Sequence, residues 1–240
     1  MSTLNRPSMQ TAPSRPNTMQ KALLLCGIAA SLLYAVANDL LAAMLYQDYS
    51  PFSQTISELT SIGAPTRPAL IAVLVIYMGL LMAFAIGVWQ SRDLGKPALR
   101  VTAVLLIAYA AMQPLWFPFP MTARGQIQST STVADIMHIG LGFATVLFEF
   151  AAIGFGAAAF GRRFRVYSIV TLAIELVFGA LIFVYVPRVA AGEPTPWLGV
   201  VERINVAAWM LWLAVLAVTL LRRQSALAQS NADRSLASVD

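Results

Sequence analysis

The stretch PALIAVLVIYMGLLMAFAIGVW, residues 68–89, contains no charged side chain and is closed by Arg67 at one end and by Arg92 and Lys96 at the other. About 20 mostly apolar residues cross the roughly 30 Å of hydrocarbon in a bilayer, so this stretch reads as a transmembrane helix. Five further runs share its character, at about 22–45, 98–117, 135–160, 166–187 and 200–221. Hydrophobic residues fill 58% of the 240 positions and charged residues only 11%, whereas a soluble domain carries about a quarter charged residues. The fold class is all-α, a six-helix transmembrane bundle. One membrane domain is expected over 21–223, because the loops are too short to fold separately.

Sixteen Lys and Arg residues set the orientation. Arg6, Arg15 and Lys21, then Arg92, Lys96 and Arg100, then Arg162, Arg163 and Arg165, and finally Arg222, Arg223 and Arg234 would share one side. The other side holds only Arg67, Arg124, Arg188 and Arg203. Short cytoplasmic segments carry the Lys/Arg excess, which places both termini of a multi-pass cell-membrane protein in the cytoplasm. The net charge of +5 is thus spread over helix ends. It makes no basic face of the kind nucleic acid requires, and attraction to anionic membrane lipid is its by-product. Residues 1–20 and 224–240 are polar and read as disordered cytoplasmic tails. Lys21 with the apolar stretch up to Ala35-Val36-Ala37 mimics a secretory signal, but apolar character resumes over Leu40 to Leu45 and the run reads as the first span. Cys26 is the single cysteine, which excludes an internal disulfide and a Cys-based zinc site.

The link between the first two runs is the longest of the outer loops to carry helix signals. Ser50-Pro51 reads as an N-cap and first-turn pair, Thr55 and Glu58 have capping-box spacing, and Gly63 with Pro65 gives a stop. Ile56, Leu59 and Ile62 recur every third residue, so a short interfacial helix is expected between spans 1 and 2.

Ionisable side chains within spans are the informative ones, since each is expensive in hydrocarbon unless paired or hydrated. Asn38 and Asp39 interrupt the outer third of the first span. Asp135 and His138 open the fourth, three residues apart and therefore on one face. Glu202 and Arg203 open the sixth, with Asn205 and Trp209 continuing the Glu202 face. Glu58 and Ser57 lie close by on the interfacial helix. Helix capping accounts equally well for Asp135 and Glu202, because first-turn acids complement the macrodipole, and Glu58 can simply complete its box with Thr55. Arg203 is expected to pair with Asp39 or with Asp135.

Glu149 and Glu175 form a second, deeper set on the two helices joined near Arg162. With no Lys or Arg inside the spans to pair with, burial favours an uncharged form for at least one of them. A proton relay and an interhelical hydrogen bond between carboxyls both follow from that placement. Metal and cofactor are not expected. His138 is the single histidine, and a set of Asp39, Asp135, His138 and Glu202 would hold a divalent ion only with an acidic bias. No Gly-rich phosphate loop, haem attachment motif or Gly-x-Ser-x-Gly elbow is present. Gly140, Gly142, Gly154 and Gly156 read as points of close helix approach.

Thr55-Ile56-Ser57-Glu58-Leu59 followed by Gly63-Ala64-Pro65, Asp135 followed by His138, and Gly199-Val200-Val201-Glu202-Arg203-Ile204 together resemble the signature of a prokaryotic six-span membrane family, domain of unknown function 998. The similarity runs over roughly residues 22–223. Thr60 stands where the family form usually has Gly. The resemblance implies fold and membrane location but no activity, and it implies that Glu58, Asp135, His138, Glu202 and Arg203 belong together.

Two classes of function compete. One is a binder or transporter of a membrane lipid or other small amphiphile, its headgroup held by Asn38, Asp39, Ser57, Glu58, Glu202 and Asn205. The other is an intramembrane hydrolase or transferase, with His138 as general base, Asp135 or Asp39 orienting it, and Arg203 stabilising an oxyanion. The lack of a nucleophile beyond ordinary serines such as Ser57 favours the first. A structural scaffold is the third reading. Oligomeric state is not encoded in any of these signals.

Overall fold

The computed structural model describes residues 18–91, 96–124 and 132–237. Arg6, Arg15 and Arg92, with residues 1–17 of the expected N-terminal tail, lie outside the described residues. The chain forms α1 (Thr18–Leu45), α2 (Ile56–Leu59), α3 (Arg67–Gln90), α4 (Pro97–Met112), continued by a 3-10 turn over Gln113–Trp116, α5 (Val133–Ala159), α6 (Arg162–Ala190) and α7 (Leu198–Ala237). No strand occurs among the described residues. Six of the helices, all but α2, are long and apolar enough to cross a membrane, and the protein is a multi-pass membrane protein.

The elements begin and end for local reasons. Pro68 and Pro97 sit in the first turns of α3 and α4, where the missing amide hydrogen has no intrahelical use. Pro114 tightens the end of α4 into the 3-10 turn. α7 continues well past residue 223, where polar composition suggested that order ends. Its extension, beginning Gln224-Ser225-Ala226-Leu227-Ala228-Gln229, holds good helix formers and neither Gly nor Pro to stop propagation. Thr18 to Gln20 likewise belong to α1 rather than to a tail.

The six long helices form a ring in chain order: α1 packs on α3, α3 on α4, α4 on α5, α5 on α6, α6 on α7, and α7 returns to α1. Both described ends of the chain lie at one end of this ring, and α2 lies at the other. From mid-depth towards the termini the ring is filled by Trp209 and Trp212, stacked 5.5 Å apart, with Phe84, Leu106, Ile153, Leu213 and Leu216. α5 approaches Trp212 closely only because residue 156 is Gly: a Cβ there would lie 2.6 Å from the indole. Gly140, Gly142 and Gly154 make no such approach and have nothing within 4 Å of an added Cβ. Gly140 and Gly154 face outwards. Leu32, Val36, Val75, Ile76, Leu147, Val170 and Val177 are exposed around the bundle, the belt expected where lipid replaces water and every backbone amide is paired within its own helix.

Candidate functional site: a cavity beneath the interfacial helix

α2 is short, and its position rests on long-range contacts. Thr55, not Ser50, is its N-cap: the Glu58 amide donates to Thr55 Oγ1 at 3.1 Å and the Thr55 amide to Glu58 Oε2 at 2.8 Å, the reciprocal box the spacing predicts. Ser50-Pro51 instead opens a turn closed by the Gln54 amide on Ser50 O at 2.9 Å. Glu58 is buried, and its carboxylate receives Arg124 through Nε at 2.7 Å and Nη2 at 2.9 Å. The same guanidinium donates to Thr195 Oγ1 at 2.7 Å, Glu193 O at 3.0 Å and Ser53 O at 3.3 Å. One side chain thus joins the three loops at the α2 end. Arg124 is a residue that sequence reasoning counted only as a charge.

Glu202 does not serve its own helix. Its carboxylate accepts from the Ile56 amide and, at 3.4 Å, from Ser57 Oγ, so it stands at the start of α2 and fastens it to α7. Arg203, the next residue, points to the α1–α7 seam. Its Nε and Nη2 grip Asp39 Oδ1 at 2.9 and 2.6 Å. Nη2 also donates to Tyr49 Oη at 2.6 Å, and Nη1 donates to Gln54 O, Pro51 O and Gly199 O at 2.7, 2.9 and 3.0 Å. Tyr49 donates its own hydroxyl proton to Asp39. Burial, then that hydrogen bond to Asp39, pushes the Tyr49 phenol up to about 12. A Cβ at Gly199 would collide with Pro51 O and lie 2.6 Å from Gln54 O, so the loop reaches α7 only because this residue is Gly.

Asp135 and His138 share a face but not a bond. Asp135 completes a capping box with Thr132, accepting from its hydroxyl at 2.6 Å and its amide at 3.1 Å. It also receives the Thr122 amide at 2.8 Å and hydroxyl at 3.1 Å. His138 Nδ1 contacts Phe119 O at 2.9 Å. A carbonyl only accepts, so Nδ1 carries the hydrogen and the neutral ring keeps its lone pair on Nε2. Phe119 O, rather than Asp135, therefore orients the imidazole, and Trp116 packs edge-on against it at 4.8 Å.

These groups surround a cavity of about 350 Å³ to which α1–α7 all contribute. It divides the candidate residues. Asn38, Ser57, Asp135, His138, Glu149, Glu202 and Asn205 line it, while Asp39, Glu58, Glu175 and Arg203 do not. The polar lining gathers at the α2 end, where Thr60, Arg67 and Gln113 join the residues above. Arg67 donates there to Thr60 O and, at 3.5 Å, to Phe117 O. Ile71, Leu74, Met78, Val146, Ile182 and Phe183 line the remainder. On α5 the lining residues Asp135, His138, Gly142, Thr145 and Glu149 follow one stripe, and at 1.5 Å per residue it is about 21 Å long. The cavity is a slot from α2 to mid-depth.

Glu149 closes the floor. Tyr109 Oη donates to Glu149 Oε1 at 3.2 Å and accepts from Trp209 Nε1 at 3.1 Å. Neither carboxyl oxygen of Glu175 has a hydrogen-bond partner, and that residue is 1% exposed. The carboxyl–carboxyl hydrogen bond expected from sequence does not form, because Glu149 bonds across to α4 instead of along the α5–α6 seam. Asp39, Asp135, His138 and Glu202 do not converge either: among the described residues no three His, Cys, Asp or Glu side chains meet as metal ligands would.

The fold and the cavity define a multi-pass α-helical membrane protein with a largely apolar slot between its helices. The chain belongs to the family described as Protein of unknown function (DUF998), whose family model matches residues 28–219. Neither a curated protein nor a solved structure matches it.

Proposed function

We propose that the protein binds, and carries or presents, a small amphiphile in this slot, with the ligand's polar group against the wall formed by Asn38, Ser57, Asp135, His138 and Glu202 and its apolar part against Ile71, Leu74, Met78 and Phe183. The observation that carries this reading is the shape and chemistry of one cavity: polar at the α2 end, mostly apolar along its middle, and closed by the Glu149 floor. Its volume, about 350 Å³, is at the small end of ligand pockets and suits one chain or ring system better than a two-chain phospholipid. Orientation belongs to the same proposal. The three ion pairs among the described residues all lie at the α2 end, whereas Lys96, Arg100, Arg162, Arg163 and Arg165 cluster at the opposite end, the arrangement that marks a cytoplasmic face.

The hydrolase reading is second. It retains His138 Nε2 at the slot, but Arg203 donates elsewhere and Asp135 is engaged by Thr122 and Thr132. Native mass spectrometry of protein extracted with its surrounding lipid tests the amphiphile reading, with Gly142→Leu as the blocked form. Gly142 lines the slot with nothing within 4 Å of an added Cβ, so the larger side chain occupies ligand space rather than core. The unmodified protein should carry one small amphiphile and the variant none, at equal thermal stability; identical spectra would overturn the reading.

A further inference from the structure

Glu149 has no basic partner among the described residues. It lies at the floor of an apolar slot, 6% exposed, and its one hydrogen bond comes from Tyr109. A carboxyl in such surroundings persists either as the neutral acid or beside a cation, because an isolated carboxylate in hydrocarbon is very costly. The groups that face it are the phenols of Tyr34 on α1, Tyr77 on α3 and Tyr109 on α4, and the carboxyl of Glu175 on α6. α7 contributes uncharged Trp209 through Tyr109. No Lys, Arg or His is paired with it among the described residues. Arg67 stands at the far, α2 end of the slot.

The floor is also aromatic. Tyr34 and Tyr77 lie 4.8 Å apart and Tyr109 and Trp209 5.2 Å apart, and all four line the cavity with Glu149. Aromatic rings attract ammonium groups and add most where water is absent. Further oxygens here have no hydrogen-bond partner: both carboxyl oxygens of Glu175, behind Glu149, the Tyr77 hydroxyl, and Thr145 Oγ1, one turn away on the slot wall. Acceptors, rings and an acid without a base make a site for positive charge and a poor one for an anion.

We infer that Glu149 is the counter-ion for a lipophilic monovalent organic cation, an alkylammonium, which enters the slot and takes the place of the carboxyl proton. The inference rests on the slot proposed above as an amphiphile site and specifies the ligand class, but it turns the ligand round: the cation sits at Glu149 on the floor and the alkyl chain runs along Ile71, Leu74 and Met78 towards α2. The exchange balances in charge: the ammonium ion and the neutral Glu149 acid give the ammonium–carboxylate pair and one proton, which leaves to bulk water. Binding therefore competes with protons and weakens as pH falls.

Three probes of one chain length separate the outcomes: decyltrimethylammonium, decanol and decanesulfonate, titrated calorimetrically into the protein in nanodiscs. The cation should bind at least about tenfold more tightly than the other two, a margin of roughly 1.4 kcal/mol, and two buffers of different ionisation enthalpy should report one proton released per cation bound at acidic pH. Glu149→Gln preserves size and the acceptor for Tyr109; it should bring the cation's affinity down to that of decanol, with thermal unfolding as the check on folding. The comparison of headgroups on the unmodified protein stands even if that variant misfolds. Equal affinity for all three probes, or a Glu149→Gln form that binds the cation unchanged, overturns the cation site. Decanol binding well while the cation does not also overturns it yet leaves the cavity reading standing, whereas failure of all three contradicts both.

Discussion

Asp39 of α1 and Arg203 of α7 meet at 2.6 Å between Oδ1 and Nη2, joining the first and last spans where the helical ring closes. The guanidinium side chain is 17% exposed and also holds three backbone carbonyls. Its chemistry is that of a clamp. Arg203→Ala should destabilise by about 2 kcal/mol, less than a fully buried pair because the Asp39 carboxylate is partly solvated. Arg203→Lys should recover only a minor part, since an ammonium cannot reach the same fork of acceptors. Thermal unfolding in one detergent compares the two, and equal stability of Arg203→Lys and the unmodified protein would refute the clamp.

Tyr49 supplies a pH signature of the same junction. Its phenol is held neutral up to about 12 by burial and by Asp39. The folded-state value lies above the ordinary value near 10, so this contribution to stability is complete below pH 10 and fades as pH rises through 12. Phenolate absorbance of the unmodified protein minus that of Tyr49→Phe should show a midpoint near 12, and a midpoint near 10 would mean that neither the burial of this phenol nor its Asp39 contact is present.

Arg124 ties Ser53, Glu58, Glu193 and Thr195 together. In Arg124→Gln, hydrogen exchange should quicken over residues 50–60 and 192–197 together, by about tenfold for a loss near 1.4 kcal/mol, while the lower halves of the helices stay protected. Acceleration in one loop alone would show that the three are held separately.

Gly199 and Gly142 should respond in opposite ways to Ala. At Gly199 the new Cβ meets backbone oxygens of residues 51 and 54, which cannot move without loosening α2, so stability falls by about 1–3 kcal/mol. At Gly142 there is open space and stability should hold or rise slightly, as Ala is the better helix former. Unfolding temperatures of the two variants decide it, and similar losses would contradict the packing described.

Composition alone exposed the six spans, because hydrocarbon imposes length and apolarity on any helix that crosses it. The α2 capping box was legible from Thr55 and Glu58 as local chemistry. Half of the site was legible too: Asp135 with His138, and Glu202 with Asn205 and Trp209, follow helical periodicity. The same periodicity separates neighbours. Successive residues are about 100° apart on a helix, so Asn38 and Glu202 face the slot while Asp39 and Arg203 turn to the α1–α7 seam, although sequence adjacency suggested one cluster. Glu149 shares the stripe of Asp135 and His138 and belongs to their cavity instead of to a separate constellation. Arg124 left no local trace, since its acceptors lie 66 to 71 residues away.

Photolabelling in membranes tests the cavity most directly. A short alkyl chain bearing a diazirine, activated in membranes that contain the protein and mapped by peptide mass spectrometry, should mark the slot-lining stretches of α5 and α7, from His138 to Glu149 and from Glu202 to Met210. That labelling should disappear in Gly142→Leu. Marks confined to the outward face around Val170 and Val177, unchanged by the variant, would contradict a ligand in the slot.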